Sequence, residues 1–117
     1  MNFLFILNDP PYGTERVYNG LRLALNILKT TEGASLAVFL MGDAVAAAKS
    51  GQQTPNGYYN LGRMVKSVLA RNGEILLCGT CMDARGIADS EIVEGSRRST
   101  LDELTELTAT TEKVLVF

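Results

Sequence analysis

The apolar residues of this chain fall into two patterns, short continuous runs and stripes at helical spacing. Continuous runs occur at Asn2–Leu7, Ser35–Met41, Glu74–Cys78 and Lys113–Phe117. Runs of this length are typical of strands that are buried on both faces. They predict four strands of a sheet that is covered on each side.

Three stripes with a spacing of three and four residues predict amphipathic helices. Thr14 is suited to cap the first helix, and Thr100 and Glu103 have the spacing of a capping box ahead of the third. An alanine-rich segment, residues 44–50, predicts a further short helix that ends at Gly51. The stripes consist of Val17, Leu21, Ala24, Leu25 and Leu28, of Leu61, Met64, Val65, Val68 and Leu69, and of Leu101, Leu104 and Leu107.

The remaining segments are rich in turn-forming residues. Residues 51–57 predict a surface loop, and residues 86–96 predict a loop with a short extended piece around Glu91–Val93. Strands and helices therefore alternate, which indicates an α/β fold with an open, mostly parallel sheet and helices on both faces. With 117 residues, the chain has the length of a single domain, residues 1–117.

Composition and charge narrow the functional classes. Hydrophobic residues make up 46% and charged residues 21% of the chain, and the net charge of −2 creates no field that attracts nucleic acid or an anionic membrane. The apolar N-terminal run is too short for a signal peptide or a membrane span, which indicates a cytoplasmic protein. Two cysteines so close together do not form the framework of a secreted protein, so we expect reduced thiols.

Residues with useful chemistry follow three of the predicted strands. Residues 8–13 follow the first strand, residues 41–43 the second and residues 78–86 the third. Because ligands and catalytic groups gather at the carboxyl ends of parallel strands, we expect these three segments to meet at one edge of the sheet. That edge carries both cysteines.

Cys78 allows two interpretations. It is either the last small hydrophobic residue of a buried strand or a nucleophile displayed where the strand meets a loop. Two features would favour the nucleophilic thiolate form: the charge of Arg85 and any helical turn that opens near Met82. Arg85 could equally be a solvated surface charge. Cys81, which we place in the loop, is either a resolving partner for Cys78 or a bystander.

Other chemistries lack their residues. A zinc site requires about four ligands, and the chain has two cysteines and no histidine, so we predict neither a metal nor a bound cofactor. The missing histidine also excludes a Ser-His-Asp triad, and the glycine spacing matches neither a dinucleotide fingerprint nor a P-loop. A thioredoxin-like dithiol is disfavoured because Gly86 interrupts the segment after Cys81 and no proline follows Pro55.

Several smaller features have both a structural and a functional interpretation. Tyr12 and Gly13 either build the first turn or place an aromatic ring beside the thiols. Asp43 is either a helix cap or an acid-base group, and Asp83 either a turn residue or part of the site. The pair Tyr58–Tyr59 either packs its loop onto the domain or contributes to a subunit contact.

Three stretches and the final KVLVF carry a resemblance to a known family. The stretches are NDPPYGTERVYNGLRLAL (residues 8–25), LAVFLMGDAV (residues 36–45) and LLCGTCMDARGI (residues 76–87). In this order, and over essentially the whole chain, they resemble the DsrE/DsrF-like family, and most of all its YchN-type branch. The most specific pieces are Pro-Tyr-Gly in the first loop, the FLMGDAV junction and the run that contains both cysteines.

The resemblance implies a three-layer α/β fold with a five-stranded, largely parallel sheet and assembly into homotrimers or homohexamers. In the sulfur-relay branches of this family, a cysteine at a strand end accepts sulfane sulfur as a persulfide and passes it to another protein. Cys78 matches that cysteine. The surrounding motif matches Cys81, Asp83, Arg85 and Gly86, and the facing loop matches Tyr12 and Gly13.

We therefore expect a cytoplasmic, oligomeric sulfur carrier with Cys78 as the sulfur-bearing thiol. Its partners would be a protein sulfur donor and a protein acceptor, without direct contact to nucleic acid or membrane. Transfer between thiolates requires no metal or cofactor. Two alternatives stay open. One is a thiol-disulfide switch that uses Cys78 and Cys81, and the other is a ligand-binding or scaffold oligomer in which the cysteines only line a pocket.

Overall fold

A five-stranded sheet forms the centre of the protein. The computed structural model describes all 117 residues. Neighbouring strands are parallel throughout, in the order β4-β3-β2-β1-β5. The strands are β1 (Asn2–Leu7), β2 (Ser35–Leu40), β3 (Glu74–Cys78), β4 (Arg97–Ser99) and β5 (Lys113–Val116). The predicted α/β fold with a five-stranded, mostly parallel sheet is confirmed.

Four α-helices and two 3-10 helices connect the strands. Thr100 caps the last α-helix as predicted, because its hydroxyl accepts the N–H of Glu103. The Glu103 carboxylate binds Arg97 and Ser99 instead of completing a capping box. The α-helices are α1 (Arg16–Thr30), α2 (Leu61–Ala70), α3 (Gly79–Ala84) and α4 (Leu101–Thr110), and the 3-10 helices are Gly42–Ala48 and Asp89–Glu91.

The helices cover both faces of the sheet because parallel crossovers are right-handed. The chain moves in one direction from β1 through β2 and β3 to β4, so α1, α2 and α3 share a face, whereas α4 returns across the other face to β5. Gly20 of α1 accordingly packs against Leu7 and Phe117. On the opposite face, Glu103 of α4 binds Arg97 of β4. The result is a three-layer arrangement.

The core is built around the three inner strands. Five consecutive residues of β2, Leu36–Leu40, are buried, and so are Ile75–Cys78 of β3. Continuous burial of this kind requires cover on both faces, which explains why these strands contain unbroken apolar runs. No helix of the structure has both the length and the apolar character that crossing a membrane requires.

Two predicted helix features are wrong in detail. The first helix starts at Arg16, and Glu15 rather than Thr14 occupies its N-cap without a side-chain capping bond. The Thr14 hydroxyl points instead to the Asp9 carboxylate, 3.4 Å away. The alanine-rich segment forms a 3-10 helix, Gly42–Ala48, and its C-terminal carbonyls accept hydrogen bonds from the Gln52 side chain.

The segment before α4 differs most from the prediction. The strand that the apolar runs did not predict is β4, Arg97–Ser99. Residues 91–93, where an extended piece was predicted, contain only the end of a 3-10 helix and an isolated bridge between Ile92 and Lys49. β4 forms by pairing with β3 at the edge of the sheet, where Cys78 lies opposite Ser99. Its sequence, Arg-Arg-Ser, has no apolar pattern that could indicate a strand.

Candidate functional site

Cys78 stands at the junction of a strand and a helix. It is the last residue of β3 and the N-cap of α3, and its side chain is 9% exposed. The prediction that Cys81 lies in a loop is wrong, since α3 occupies Gly79–Ala84 and places Cys81 on a helix. The two cysteines are free and lie one helical turn apart.

Neighbouring donors favour the thiolate form of Cys78. The Thr80 hydroxyl lies 3.2 Å from the Cys78 sulfur. Cys78 makes no side-chain capping bond, and the N–H groups of Thr80 and Cys81 at the start of α3 are the weakest of the donors that favour its ionised form. Burial opposes ionisation, yet the Cys81 thiol, the Thr80 hydroxyl and these N–H groups outweigh it and lower the pKa of Cys78.

Cys81 has the opposite tendency. Its sulfur is half-buried and accepts a hydrogen bond from the Gly42 N–H at 3.2 Å. Burial and the hydrogen bond to Cys78 raise the pKa of Cys81, although the Gly42 N–H and the charge of Arg85 act in the other direction. Of the two thiols, Cys78 is therefore the one that ionises more readily.

Arg85 connects α3 to the 3-10 helix that follows β2. Its Nε donates to Asp43 Oδ1 at 2.8 Å, and its Nη1 donates to the Cys81 carbonyl at 3.1 Å. Asp43 thus serves as the partner of Arg85. This ion pair holds α3, the helix that carries Cys81 and follows Cys78, against the segment whose N–H group binds Cys81.

Arg98 holds α3 from the other side. It extends from β4 and donates from Nη1 to the Gly79 carbonyl at 3.0 Å, from Nη2 to Asp83 Oδ1 at 3.0 Å and from Nε to Asp89 Oδ1 at 2.8 Å. Asp83 therefore lies on α3 and binds Arg98 rather than forming a turn. A helix of six residues is fastened at its first turn and at its acidic side chain.

The segments that follow β1, β2 and β3 adjoin one another at the carboxyl ends of these strands. The Met41 N–H binds the Leu7 carbonyl, and the Cα of Gly42 lies so near the Asn8 carbonyl that a Cβ there would be 3.4 Å from its oxygen. Gly42 in turn contacts Cys81. Gly42 has a φ of 55°, which a glycine adopts without strain.

Tyr12 belongs to a different contact. Its hydroxyl donates to Gln52 Oε1 at 2.5 Å and accepts the Leu61 N–H at 3.1 Å, so it joins the first loop to the start of α2. The structure gives it no hydrogen bond to either cysteine. Gly13, with a φ of 95°, is a turn residue, and Gly86, with a φ of 64°, follows the end of α3.

All four tyrosines of the chain form one cluster. Tyr59 stacks on Tyr18 of α1 with 4.2 Å between ring centroids and on Tyr58 with 4.8 Å, and Tyr12 completes the group. The Tyr58–Tyr59 pair therefore packs its loop onto the body of the protein. Tyr58 keeps half of its surface exposed.

Sequence reasoning assigned no role to three groups that contact the site: the Thr80 hydroxyl, the Gly42 N–H and the Arg98 guanidinium. Thr80 has a recognisable signal, since a hydroxyl two residues after a strand-end cysteine can reach its sulfur. Arg98 has none, because it lies 19 residues from Gly79. No group of three histidine, cysteine or acidic side chains in the structure is arranged to hold a metal ion.

Comparison with known proteins identifies the family. The sequence profile of the DsrE/DsrF-like family matches residues 1–117. The chain belongs to the DsrE/DsrF-like family. The likeness to the family is therefore not limited to the cysteine motif but covers all 117 residues.

Relatives with known sequences support the YchN-type branch. The chain is 39% identical to the protein YchN of Escherichia coli strain K12 over 114 residues, which cover 97% of both chains. It is 32% identical to the protein MJ0989 of Methanocaldococcus jannaschii over the full length of both. The predicted membership of the family is confirmed.

Solved structures support the fold. The crystal structure of YchN from E. coli superimposes with a TM-score of 0.94 at 38% identity and covers 100% of this chain and 99% of that one. The structure of the protein MTH1491 from Methanobacterium thermoautotrophicum has a TM-score of 0.82 at 12% identity over 99% of this chain and 98% of that one. The second likeness concerns the fold alone.

Proposed function

We propose that this protein carries sulfane sulfur as a persulfide on Cys78 and passes it to a thiol of a partner protein. One observation carries the proposal: Cys78 ends β3 at the carboxyl ends of the strands, is buried except for 9% of its surface and has neighbours that favour its thiolate. Membership of the DsrE/DsrF-like family, whose relay branches handle sulfur in this way, is consistent with it.

The chemistry uses thiolates only. The Cys78 thiolate attacks the outer sulfur of a donor persulfide, a new S–S bond forms, and the bond to the donor sulfur breaks so that the donor leaves as a thiolate. The acceptor thiolate then attacks the same outer sulfur and releases the Cys78 thiolate. The number of electrons and protons on each side is equal, so the transfer needs no oxidant, metal or cofactor.

Neighbouring groups assist Cys78 in this proposal. The Cys81 thiol and the Thr80 hydroxyl donate to the Cys78 thiolate each time it is released, which makes it a better leaving group. Arg85 and Asp83 keep α3 in position through their ion pairs. Because Cys78 is only 9% exposed, an acceptor thiol has to enter the sheet edge to reach it.

We propose that the protein assembles with copies of itself through the face that carries α4. Val116 of β5 is 62% exposed and Leu101 of α4 is 67% exposed, and Val114 adds to the apolar surface on the same side of the sheet. Exposed apolar surface of this kind favours protein contacts. Reduced thiols also suit a reducing compartment such as the cytoplasm.

A second candidate function is a thiol-disulfide switch. It is favoured by one observation, the position of the two free thiols one helical turn apart with mutual influence on their pKa values. In such a switch, Cys78 and Cys81 lose two hydrogens together when they form a disulfide. A switch depends on Cys81, whereas a carrier does not.

Mass spectrometry of the intact protein distinguishes these functions. The reduced protein, Cys78→Ser and the matched control Cys81→Ser are each mixed with a persulfide donor and then with a thiol acceptor. A carrier gains one sulfur atom in the parent and in Cys81→Ser, loses it to the acceptor, and gains none in Cys78→Ser. Loss of two hydrogens that requires both cysteines, without added sulfur, would instead support the switch. Sulfur loading in Cys78→Ser would refute the assignment of Cys78.

A further inference from the structure

Three asparagines of the chain are each followed by a glycine: Asn19, Asn56 and Asn72. The amide side chain of such an asparagine can be attacked by the backbone nitrogen of the glycine, because no Cβ shields that nitrogen and the glycine backbone bends easily. The attack requires a glycine N–H that is free of a hydrogen bond and a chain that can turn there. Since the local sequence is the same at all three steps, the surrounding structure decides which of them reacts.

Two of the three glycine nitrogens belong to helices. Gly20 is buried inside α1, where the helical ladder binds its N–H. Asn72 lies just after α2 with a φ of 63°, and the Gly73 N–H donates to the Val68 carbonyl at 2.9 Å. This bond closes the end of α2 in the manner of a Schellman motif, and Gly73 is buried. Reaction at either step therefore requires that a helix opens first.

The third step lies in the exposed loop that precedes α2. The Tyr58 N–H donates to the Pro55 carbonyl at 3.0 Å, and Gly57 has a φ of 81°, so residues 55–58 form a β-turn with glycine in its third position. The bond that closes this turn leaves the Gly57 N–H unused, and no other backbone group accepts it. Asn56 is exposed, and a Cβ on residue 57 would meet no atom within 4 Å. Only one turn hydrogen bond thus opposes movement of the reacting groups.

We propose that Asn56 is a site of spontaneous deamidation, which converts the loop before α2 into an aspartate or an isoaspartate form. The Gly57 nitrogen attacks the side-chain carbonyl carbon of Asn56, a C–N bond forms, and ammonia leaves with the proton of the Gly57 N–H. The product is a five-membered succinimide. Water then opens the ring, either at the side-chain carbonyl to give aspartate or at the backbone carbonyl to give isoaspartate. In sum, water replaces ammonia, so the reaction needs no oxidant or reductant.

The modification changes the charge and the backbone of this loop. Both products add one carboxylate to a chain whose net charge is −2, and isoaspartate also inserts a methylene group into the main chain. Arg63 of α2 lines the same surface depression as Asn56 and offers a cation to the new carboxylate. The reaction uses neither cysteine, so it is independent of the proposed sulfur transfer.

The test is incubation of the full-length protein in warm, mildly alkaline buffer, followed by trypsin digestion and mass spectrometry. Trypsin places Asn19, Asn56 and Asn72 on separate peptides, so each step is followed by itself. The Asn56 peptide should gain one mass unit and separate into aspartate and isoaspartate forms. Its rate should exceed the other two by about tenfold or more, because those steps react only when a helix opens. The same incubation in urea should bring the three rates close together.

Two variants identify the reacting atoms. Asn56→Gln should abolish the acidic form that appears on ion exchange, and Gly57→Ala should slow the reaction at Asn56 by about tenfold, because the added methyl group shields the nitrogen. Circular dichroism verifies that both variants fold. Three results would overturn the proposal: equal rates at Asn56 and Asn72 in the folded protein, no reaction at Asn56 while the step reacts in urea, or a parent rate in Gly57→Ala.

Discussion

Met82 is the apolar anchor of α3, the helix that follows Cys78 and carries Cys81. Within the six residues of α3, only Gly79 and Met82 are buried, and the Met82 side chain has no exposed surface. Truncation of a fully buried methionine to alanine removes its transfer free energy and leaves a cavity, which together cost about 2–5 kcal/mol. We expect Met82→Ala to lower the free energy of unfolding by about 3 kcal/mol, within the stability of a domain of this size.

The control for this variant is Met64→Ala. The same methionine-to-alanine truncation is made on α2, where the Met64 side chain is only half-buried. We expect a loss of about 1 kcal/mol there, because less apolar surface is exposed by the truncation. Urea unfolding of both variants and the parent measures the difference, provided that the slopes of the transitions are equal.

The same pair of variants tests the connection between core and site. If Met82 holds α3 in place, Met82→Ala should also move the pH profile of Cys78 alkylation by iodoacetamide to higher pH, since the Thr80 hydroxyl and the Cys81 thiol lose their fixed positions beside the Cys78 sulfur. Met64→Ala should keep the parent profile. A loss below about 1 kcal/mol in Met82→Ala, together with a parent profile, would refute this reasoning. The ion pairs of Arg85 and Arg98 would then be sufficient to hold the helix.

Three further predictions concern stability and assembly. Hydrogen bonds from Arg97 and Ser99 lower the pKa of Glu103 from 4.5 to about 2, so the stability that they add is present above pH 4.5 and lost as the pH falls to about 2. Because this side chain is 32% exposed, we expect only about 1 kcal/mol, visible in the pH dependence of urea unfolding of the parent and absent in Glu103→Gln. Tyr12→Phe should cost about 1–2 kcal/mol through the lost bonds to Gln52 and to the start of α2, and a displaced Cys78 profile would contradict its structural role. Val116→Asp should reduce the assembled mass in light scattering while circular dichroism stays unchanged, and an unchanged mass would place the contact elsewhere.

Local patterns were sufficient for the elements that form the core. The apolar runs of β1, β2 and β3 and the stripes of α1 and α2 are set by burial on defined faces, and burial leaves its period in the sequence. The end of β3 also placed Cys78 at the sheet edge. The prediction that Thr14 caps α1 was wrong because the Thr14 hydroxyl points to the Asp9 carboxylate. The residue preferences of helix caps do not indicate such a competing partner.

The sequence by itself thus determined the fold class, the order of the main elements and the position of Cys78, because burial repeats with the period of each element. Tertiary structure alone decided that Arg97–Ser99 is a strand, that α3 begins directly after Cys78, and that Arg98 binds the Gly79 carbonyl. β4 exists through its pairing with β3, and its arginines are directed to Glu103 on one face and to α3 on the other. Contacts between polar groups so far apart in the chain leave no local period, so only the assembled fold defines them.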